Sequence, residues 1–130
     1  MAERQRVTSG SPFEGPIGFS RAIRVGDRVL VSGTGPVWPD GFCDPDPFAQ
    51  AMRCFKVAGT AMSELGASLR DVVRTRMYLL DASDWEAVGR AHNAYFEAVR
   101  PAATMIVVAG LLDPRWRVEV EVEAVAQPKA

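Results

Sequence analysis

The feature that most constrains this chain is a strict alternation over 118–126. Valine and alanine fill the even positions, whereas Glu119, Glu121 and Glu123 fill three of the odd ones. Because successive side chains of a β-strand point to opposite faces, the segment predicts a strand with one apolar and one charged face. Helices can cover the apolar face of a sheet built around this strand, whereas the negative charges on the other face must be compensated.

The three glutamates need compensating charge, because residues two apart on one strand face are separated by about 7 Å and repel one another. Arg74 and Arg76 share one face of a second predicted strand at 72–80. If the two strands are neighbours, they form a charged ladder on the face that the helices leave open. Two interpretations of this face stay open: a solvated polar surface, or a subunit interface or cleft with partly buried, functional charges.

Hydrophobic spacing and turn residues predict the other elements. The hairpin glycine of Gly26-Asp27 separates the first two strands, and Asp46 is the expected N-cap of a helix that starts with Pro47. In chain order, the predicted elements are strands at 19–25 and 28–32, a helix at 47–65, a strand at 72–80, a helix at 85–99, and strands at 104–108 and 118–126.

The order β-β-α-β-α-β-β predicts a single α+β domain over 1–130, with an irregular leader at 1–17 and a tail at 127–130. Two helices cover one sheet face, so the other face needs a partner. The segment 104–108 is apolar on both faces and predicts a strand buried on both sides. We therefore expect self-association.

Scarce residue types exclude several kinds of chemistry. Cys43 and Cys54 have no CxxC spacing, so they predict free thiols and neither a zinc site nor a disulfide scaffold. One histidine, His92, cannot build a histidine-rich metal site. Lys56 and Lys129 are the two lysines, which leaves almost no candidate for Schiff-base chemistry. We expect no metal and no cofactor.

Charge and hydropathy exclude further classes. With 15 basic and 16 acidic side chains the net charge is -1, which argues against a dedicated nucleic-acid binder. The longest apolar run, 105–109, is far below the roughly 20 residues of a membrane helix, and the first residues lack the apolar core of a signal peptide. These features predict a cytoplasmic protein without a membrane partner.

Several segments in a fixed order resemble one known family. They are 18–34, Thr75–Leu79 with Asp84-Trp85, Arg100–Thr104 and Val120–Ala124. On these segments the chain resembles the YjgF/RidA family from about residue 15 to residue 126. The resemblance implies a chorismate-mutase-like fold and a homotrimer with clefts between neighbouring subunits. Deaminating members hydrolyse enamines and imines such as 2-aminoacrylate without metal or cofactor, and some relatives are described as endoribonucleases or translation inhibitors.

The resemblance also implies positions for a substrate site. Glu121 matches the family's cleft glutamate, and the Ser32-Gly33-Thr34 turn and Thr104 match residues that line the cleft. A carboxylic side chain beside the attacking water, with one or two hydrogen-bond donors, is sufficient for imine hydrolysis.

Four family positions differ in this chain. The arginine that binds the substrate carboxylate falls on Ala103, the cleft tyrosine on Phe19, the helix asparagine on Gly89 and the cleft cysteine on Met105. Since an arginine fork is the group best suited to a carboxylate, the chain resembles an arginine-lacking branch. 2-Aminoacrylate is then not its expected substrate.

Other residues are candidates for the functional site, and some of them also have a purely structural interpretation. His92 lies one helical turn after Gly89 and is a possible donor or base, or else a core or surface histidine. Trp38, Phe19 and Trp116 are candidates for an apolar pocket, whereas Trp85 is expected to pack within its helix. Arg115 and Arg117 are candidates for a displaced anion clamp.

Three functional classes follow from these observations. The first is a hydrolase for a small enamine, imine or related reactive metabolite. The second is a trimer that binds a small molecule without converting it, which the loss of several family side chains favours. The third, a ribonuclease or RNA-binding module, is the weakest, because the chain lacks net positive charge and a basic-aromatic groove.

Overall fold

The last strand of the sequence lies at the centre of the sheet. Residues 3–127, which the computed structural model describes, form six strands: β1 (Arg4–Val7), β2 (Ala22–Val25), β3 (Arg28–Thr34), β4 (Val72–Leu79), β5 (Ala102–Val107) and β6 (Val118–Val125). Their order across the sheet is β1-β2-β3-β6-β4-β5. β5 is parallel to β4, and the other neighbouring strands are antiparallel. The predicted α+β fold is confirmed.

The helices pack on one face of this sheet. The described residues contain α1 (Glu14–Ile17), α2 (Pro47–Glu64), α3 (Trp85–Phe96) and short 3-10 turns at Leu69–Asp71 and Ala82–Asp84. Val120 and Val122 of β6 are buried in the same core as Phe55 of α2 and Val88 and Phe96 of α3. Helices thus cover the valine face of β6, as its alternation predicts, and leave the glutamate face open.

The boundaries of α2 follow the predicted capping residues. The Asp46 side chain accepts a hydrogen bond from the Ala49 backbone N–H at 3.2 Å, and Pro47 occupies the first turn. After the helix, Gly66 adopts a φ of +77°, a left-handed conformation that glycine reaches without a steric penalty. The chain can therefore turn back toward β4.

α3 is shorter than its sequence pattern predicts. The helix ends at Phe96, and the backbone N–H groups of Val99 and Arg100 both donate to the Phe96 carbonyl. Arg100 has a φ of +54°, which an α-helix cannot continue. The expected packing role of Trp85 is wrong, because this side chain is 57% exposed.

The leader is the largest departure from the predicted order. Instead of an irregular segment over 1–17, it contains β1 and α1, and the strand expected from residue 19 begins at Ala22. β1 forms because it pairs with β2, from Arg4 opposite Val25 to Val7 opposite Ala22. Such long-range pairing leaves no local signal in a polar segment. Residues 128–130 of the predicted tail lie outside the described residues.

β5 is an edge strand, and its predicted burial on both sides is wrong for the single chain. Met105 is partly buried against the core, whereas Ile106 is 43% and Val107 53% exposed. β4 covers one long edge of the strand and nothing in the described chain covers the other. No helix within residues 3–127 is long and apolar enough to span a membrane.

Candidate functional site

Glu121 is held by two neighbouring side chains on the open face of the sheet. Antiparallel pairing of β4 and β6 sets Arg76 opposite Glu121, and Tyr78 follows two residues later on the same face. The Tyr78 hydroxyl donates a hydrogen bond to Glu121, and Arg76 Nη1 lies 3.3 Å from Glu121 Oε2. The Glu121 hydrogen bond raises the pKa of Tyr78 to about 12, because it favours the protonated phenol.

The predicted charged ladder on this face is confirmed for Glu121 and Glu123, whereas Glu119 makes no ion pair within residues 3–127. Glu123 lies 3.8 Å from Arg74, 3.7 Å from Arg76 and 3.9 Å from Arg28. These side chains are about a third exposed or more, so each pair contributes about 0.2–1 kcal/mol at most. The ladder fixes the positions of the carboxylates and adds little to overall stability.

A β-bulge in β3 stands directly beside Glu121. Val31 pairs with Val122 and Thr34 with Val120, so Ser32 and Gly33 together face the single residue Glu121. A bulge of this kind locally bends a strand and re-aims its side chains. The predicted Ser32-Gly33-Thr34 turn and the predicted glutamate are therefore neighbours.

Hydrogen bonds to the backbone hold the bulge in shape. The Ser32 hydroxyl donates to the Ser20 carbonyl and the Thr34 hydroxyl to the Ser32 carbonyl, each at 2.7 Å. At Gly33 a β-carbon would collide with the Glu119 carboxylate. Glycine at this position therefore leaves room for the carboxylate of a residue on the neighbouring strand β6.

Arg21 is a site residue that the sequence did not reveal. It is 4% exposed, and its Nη1 donates to the Gly33 carbonyl at 2.5 Å and to Thr34 Oγ1 at 2.9 Å. Its guanidinium also lies 5.2 Å from the centre of the Phe19 ring. Arg21 therefore connects the bulge to the residue just before β2. The alternation of apolar and polar residues along a strand does not predict such a role.

The charge of Arg21 is balanced by a buried glutamate from the leader. Arg21 Nε lies 3.3 Å from Glu14 Oε2, and Ser9 donates to the same carboxylate through its hydroxyl and its backbone N–H. Burial acts to raise the pKa of Glu14, but the Ser9 hydrogen bonds and the Arg21 charge outweigh it and lower this pKa overall. The sequence offers one signal for this pair, opposite charges seven residues apart, but Glu14 falls in the leader predicted to be irregular and Arg21 in the strand predicted at 19–25.

Glu119 occupies a different environment from Glu121. Burial raises the pKa of Glu119, opposed by the charge of Arg21 and reinforced by that of Glu121. It lines a pocket of about 30 Å³ with Phe19, Arg21 and Trp116, which is enough volume for a single water molecule. Among residues 3–127 no hydrogen bond or ion pair reaches its carboxylate. Glu119 therefore lacks the hydrogen-bond donors that hold Glu121.

His92 lies on the helical side of the sheet, away from Glu121. Its Nε2 is 2.8 Å from the hydroxyl of buried Thr75, and its ring packs against Phe55 and Phe96. Burial lowers the pKa of His92, which favours the neutral imidazole. Since Thr75 and Arg76 project from opposite faces of β4, the sheet separates His92 from Glu121 within one chain.

The other predicted positions form a second group near the β5 edge. Ala103 pairs with Thr75 and Met105 with Met77, which sets both on the helical side, and Met105 Cε comes within 3.8 Å of the position of a β-carbon on Gly89. Thr104 pairs with Arg76 and is exposed on the open face. A pocket of about 320 Å³ opens beside this group, lined by residues that include Gly89, His92, Asn93 and Arg100.

The aromatic candidates lie in two different pockets, and the arginine candidates are paired with carboxylates. Trp116 is buried edge-to-face on Phe13 in the small pocket that Phe19 also lines, whereas Trp38 lines a different pocket.

The two guanidinium candidates for an anion clamp are already paired with carboxylates. Arg117 binds both oxygens of Asp84 at 3.0 and 2.9 Å, and Arg115 binds both oxygens of Asp113.

The cysteines take no part in this site. Cys43 and Cys54 are free thiols, as predicted, and burial raises the pKa of both. Within the described part of the chain, no three histidine, cysteine or carboxylate side chains converge to hold a metal ion.

The arrangement of strands and helices defines a class of α+β proteins with solved members. One is a Mycobacterium tuberculosis protein of the YjgF/YER057c/UK114 family, 39% identical with a TM-score of 0.88, which matches 95% of this chain and 100% of that one. A model of the endoribonuclease L-PSP family matches residues 13–126. The chain belongs to the YjgF/RidA family, as the sequence resemblance implies.

Curated relatives extend along nearly the whole chain. An uncharacterised Streptomyces coelicolor protein is 46% identical over 92% of this chain and 90% of its own length. A RutC family protein of Pyrococcus abyssi is 34% identical over 97% of this chain and 98% of its own. The mouse 2-iminobutanoate/2-iminopropanoate deaminase is 29% identical over 95% of this chain and 93% of its own.

Proposed function

We propose that this chain is a cofactor-independent hydrolase that converts the C=N bond of a small imine, or of the imine tautomer of an enamine, into a carbonyl and ammonia. The observation that carries the proposal is the position of Glu121, opposite the Ser32–Gly33 bulge and fixed by Tyr78 and Arg76. Kinship with a deaminase of 2-imino acids supports the reaction type.

Glu121 and Glu119 divide the proton transfers between them. Glu121 orients a water molecule and takes a proton from it as the oxygen bonds to the imine carbon. Glu119, whose burial favours the protonated form, gives a proton to the nitrogen. As the carbinolamine breaks down, protonated Glu121 gives its proton to the departing nitrogen and Glu119 takes the hydroxyl proton. Ammonia and a carbonyl are released, one water is consumed for each ammonia, and both carboxyl groups return to their starting states.

The preferred substrate is an imine without a carboxylate on the reacting carbon. Ala103 provides no charge at the position of the family's arginine, and the guanidinium groups of Arg115 and Arg117 are already paired with Asp113 and Asp84. Without an arginine fork, a 2-imino acid would have to leave its carboxylate poorly paired in the cleft, which weakens binding.

The complete site is formed between copies of the chain in a homotrimer. In one chain the group around Glu121 and the group around Gly89 and Met105 lie on opposite sides of the sheet. The exposed apolar residues Ile106 and Val107 of the edge strand β5, together with the open charged face, are suited to contact with a second copy. Light scattering of purified protein should give the mass of a trimer, and Ile106→Asp should give a smaller folded species.

The activity is tested with two imines that are generated in situ. An amine oxidase forms an alkylimine from a small alkylamine, and an amino-acid oxidase forms 2-iminopropanoate from alanine. Semicarbazide traps the imine that has not been hydrolysed. We expect faster hydrolysis of the alkylimine, and Ala103→Arg should shift the preference toward 2-iminopropanoate. Glu121→Gln should lower the rate about a hundredfold, the usual size of a general acid or base effect.

Glu123→Gln is the matched control, because Glu123 lies on the same strand face and pairs with Arg74 and Arg76. It should keep a rate near that of the unmodified chain. Equal losses in Glu121→Gln and Glu123→Gln would indicate that the ladder acts through structure alone. Absence of hydrolysis in a trimer that still binds the imine would replace the hydrolase with a binding protein.

A further inference from the structure

A separate pocket lies on the helical side of the sheet, away from Glu121. It has a volume of about 360 Å³, within the range of pockets that bind small molecules. Its walls are Trp38 with its neighbours in the loop before α2, one side of α2 itself, and residues 7–9 after β1. We refer to it as the Trp38 pocket.

Two cations on α2 border the Trp38 pocket. Arg53 and Lys56 are three residues apart and therefore neighbours on the helix surface. Arg53 Nε donates to the Val37 carbonyl at 2.7 Å, which fixes the guanidinium at the pocket wall. Among residues 3–127 no salt bridge reaches Arg53 or Lys56, so both positive charges are available. Glu64 also lines the pocket, two turns beyond Lys56 on the same helix and about 12 Å along its axis, so the positive charge is confined to the end near Arg53 and Lys56.

The rest of the wall is mainly apolar and includes a flat aromatic surface. Val37, Val57 and Ala61 line the pocket beside the Trp38 indole, whose orientation is supported by an edge-to-face contact with Phe42 at 5.6 Å. A planar hydrophobic body fits such a surface, while the cations at one side select for negative charge.

We propose that the Trp38 pocket binds a small organic carboxylate with a flat apolar body, with the ring against Trp38 and the carboxylate toward Lys56 and Arg53. This site does not rest on the proposed imine hydrolysis, because Trp38, Arg53 and Lys56 take no part in that reaction, although Ser9, Val37 and Val57 also line the small pocket beside Glu119. Its two parts, the indole and the ammonium group, make different contributions to binding that can be measured separately.

The test uses indole-3-acetate and its uncharged partner, indole-3-acetamide, with calorimetry for affinity and backbone amide NMR shifts for location. The acid should bind more tightly than the amide, and the shifts should centre on residues 37–39 and 53–61. Lys56→Gln should weaken binding of the acid about fivefold, the usual upper size of a solvent-exposed charge pair, without changing binding of the amide. Trp38→Leu should weaken both.

Arg70→Gln is the matched control, because Arg70 is an exposed cation outside the pocket. It should leave both affinities unchanged. The proposal is overturned if the acid fails to bind at millimolar concentration, if acid and amide bind equally, or if Lys56→Gln has no effect. Shifts centred on Phe19 and Glu121 would also overturn it, since the probe would then occupy the catalytic face. Glu121→Gln should bind the acid as well as the unmodified chain does.

Discussion

The guanidinium of Arg21 holds the carbonyl oxygen of Gly33 at 2.5 Å, and so connects the start of the sheet to the bulge beside Glu121. Arg21 is in turn paired with buried Glu14. A leader segment therefore reaches the candidate site through two consecutive side-chain contacts.

Arg21→Gln should lower the free energy of unfolding by about 3 kcal/mol, because it leaves the Glu14 carboxylate buried without its counter-charge. Urea unfolding measures the loss. The double variant Arg21→Met with Glu14→Leu should recover most of it, since no buried charge then lacks a partner. A loss below about 1 kcal/mol in Arg21→Gln would mean that water reaches Glu14, as in an exposed pair.

Gly33→Ala should destabilise the chain by only about 0.5–1.5 kcal/mol, because the new methyl group overlaps the flexible end of the Glu119 side chain, which must rotate away. Gly33 does not have a positive φ, so the clash and not backbone strain is the cause. Shortening the neighbour in Gly33→Ala with Glu119→Ala should restore part of the stability. Additive losses in this double-mutant cycle would contradict a direct contact.

Tyr78 should ionise near pH 12 in the folded protein. Because its folded pKa lies above the ordinary value, its hydrogen bond to Glu121 contributes stability below about pH 10 and loses it as pH rises through 12. Ultraviolet titration in a Tyr95→Phe background follows Tyr78 alone, since the chain has 2 tyrosines. Glu121→Gln should lower the midpoint; an unchanged midpoint would show that burial, and not this carboxylate, sets the pKa.

His92 should titrate below its usual pKa of about 6.5 and stay neutral at pH 7. A depressed histidine pKa means that the unfolded chain binds the proton more readily, so stability is full above about pH 6.5 and falls as pH decreases through the folded pKa. As the single histidine, it gives one resolved imidazole signal in NMR. His92→Gln should flatten the acid side of the stability profile and retain imine hydrolysis, whereas loss of turnover in a folded variant would give His92 a role in the reaction.

Local patterns predicted the elements whose neighbours impose a regular environment. The alternation at 118–126 identified β6 because a central strand has one face against the helices and the other against the charged ladder. Asp46 and Pro47 marked the start of α2 because helix capping depends on adjacent residues alone. Arg74 and Arg76 could be assigned to the glutamates by charge.

Register and long-range contacts could not be predicted in the same way. The bulge at Ser32–Gly33 depends on how β3 aligns with β6, and the role of Arg21 depends on contacts with residues 7 to 13 positions away. β5 has the apolar composition of a buried strand, but its exposure is decided by its place at the sheet edge. The resemblance to a family supplied Glu121 and Gly33 as site positions, and the structure shows that they adjoin.

The place of β6 has a consequence for how the chain is made. Of the six strands within residues 3–127, β6 is synthesised after the other five, yet it alone joins β1-β2-β3 to β4-β5, because β3 and β4 do not pair directly. Until synthesis has passed residue 125, the nascent chain can form two half-sheets but cannot close the sheet across its centre. Closure of the sheet therefore waits for β6, and a ribosome that stalls before Val118 holds a chain with two unpaired inner edges exposed to other chains.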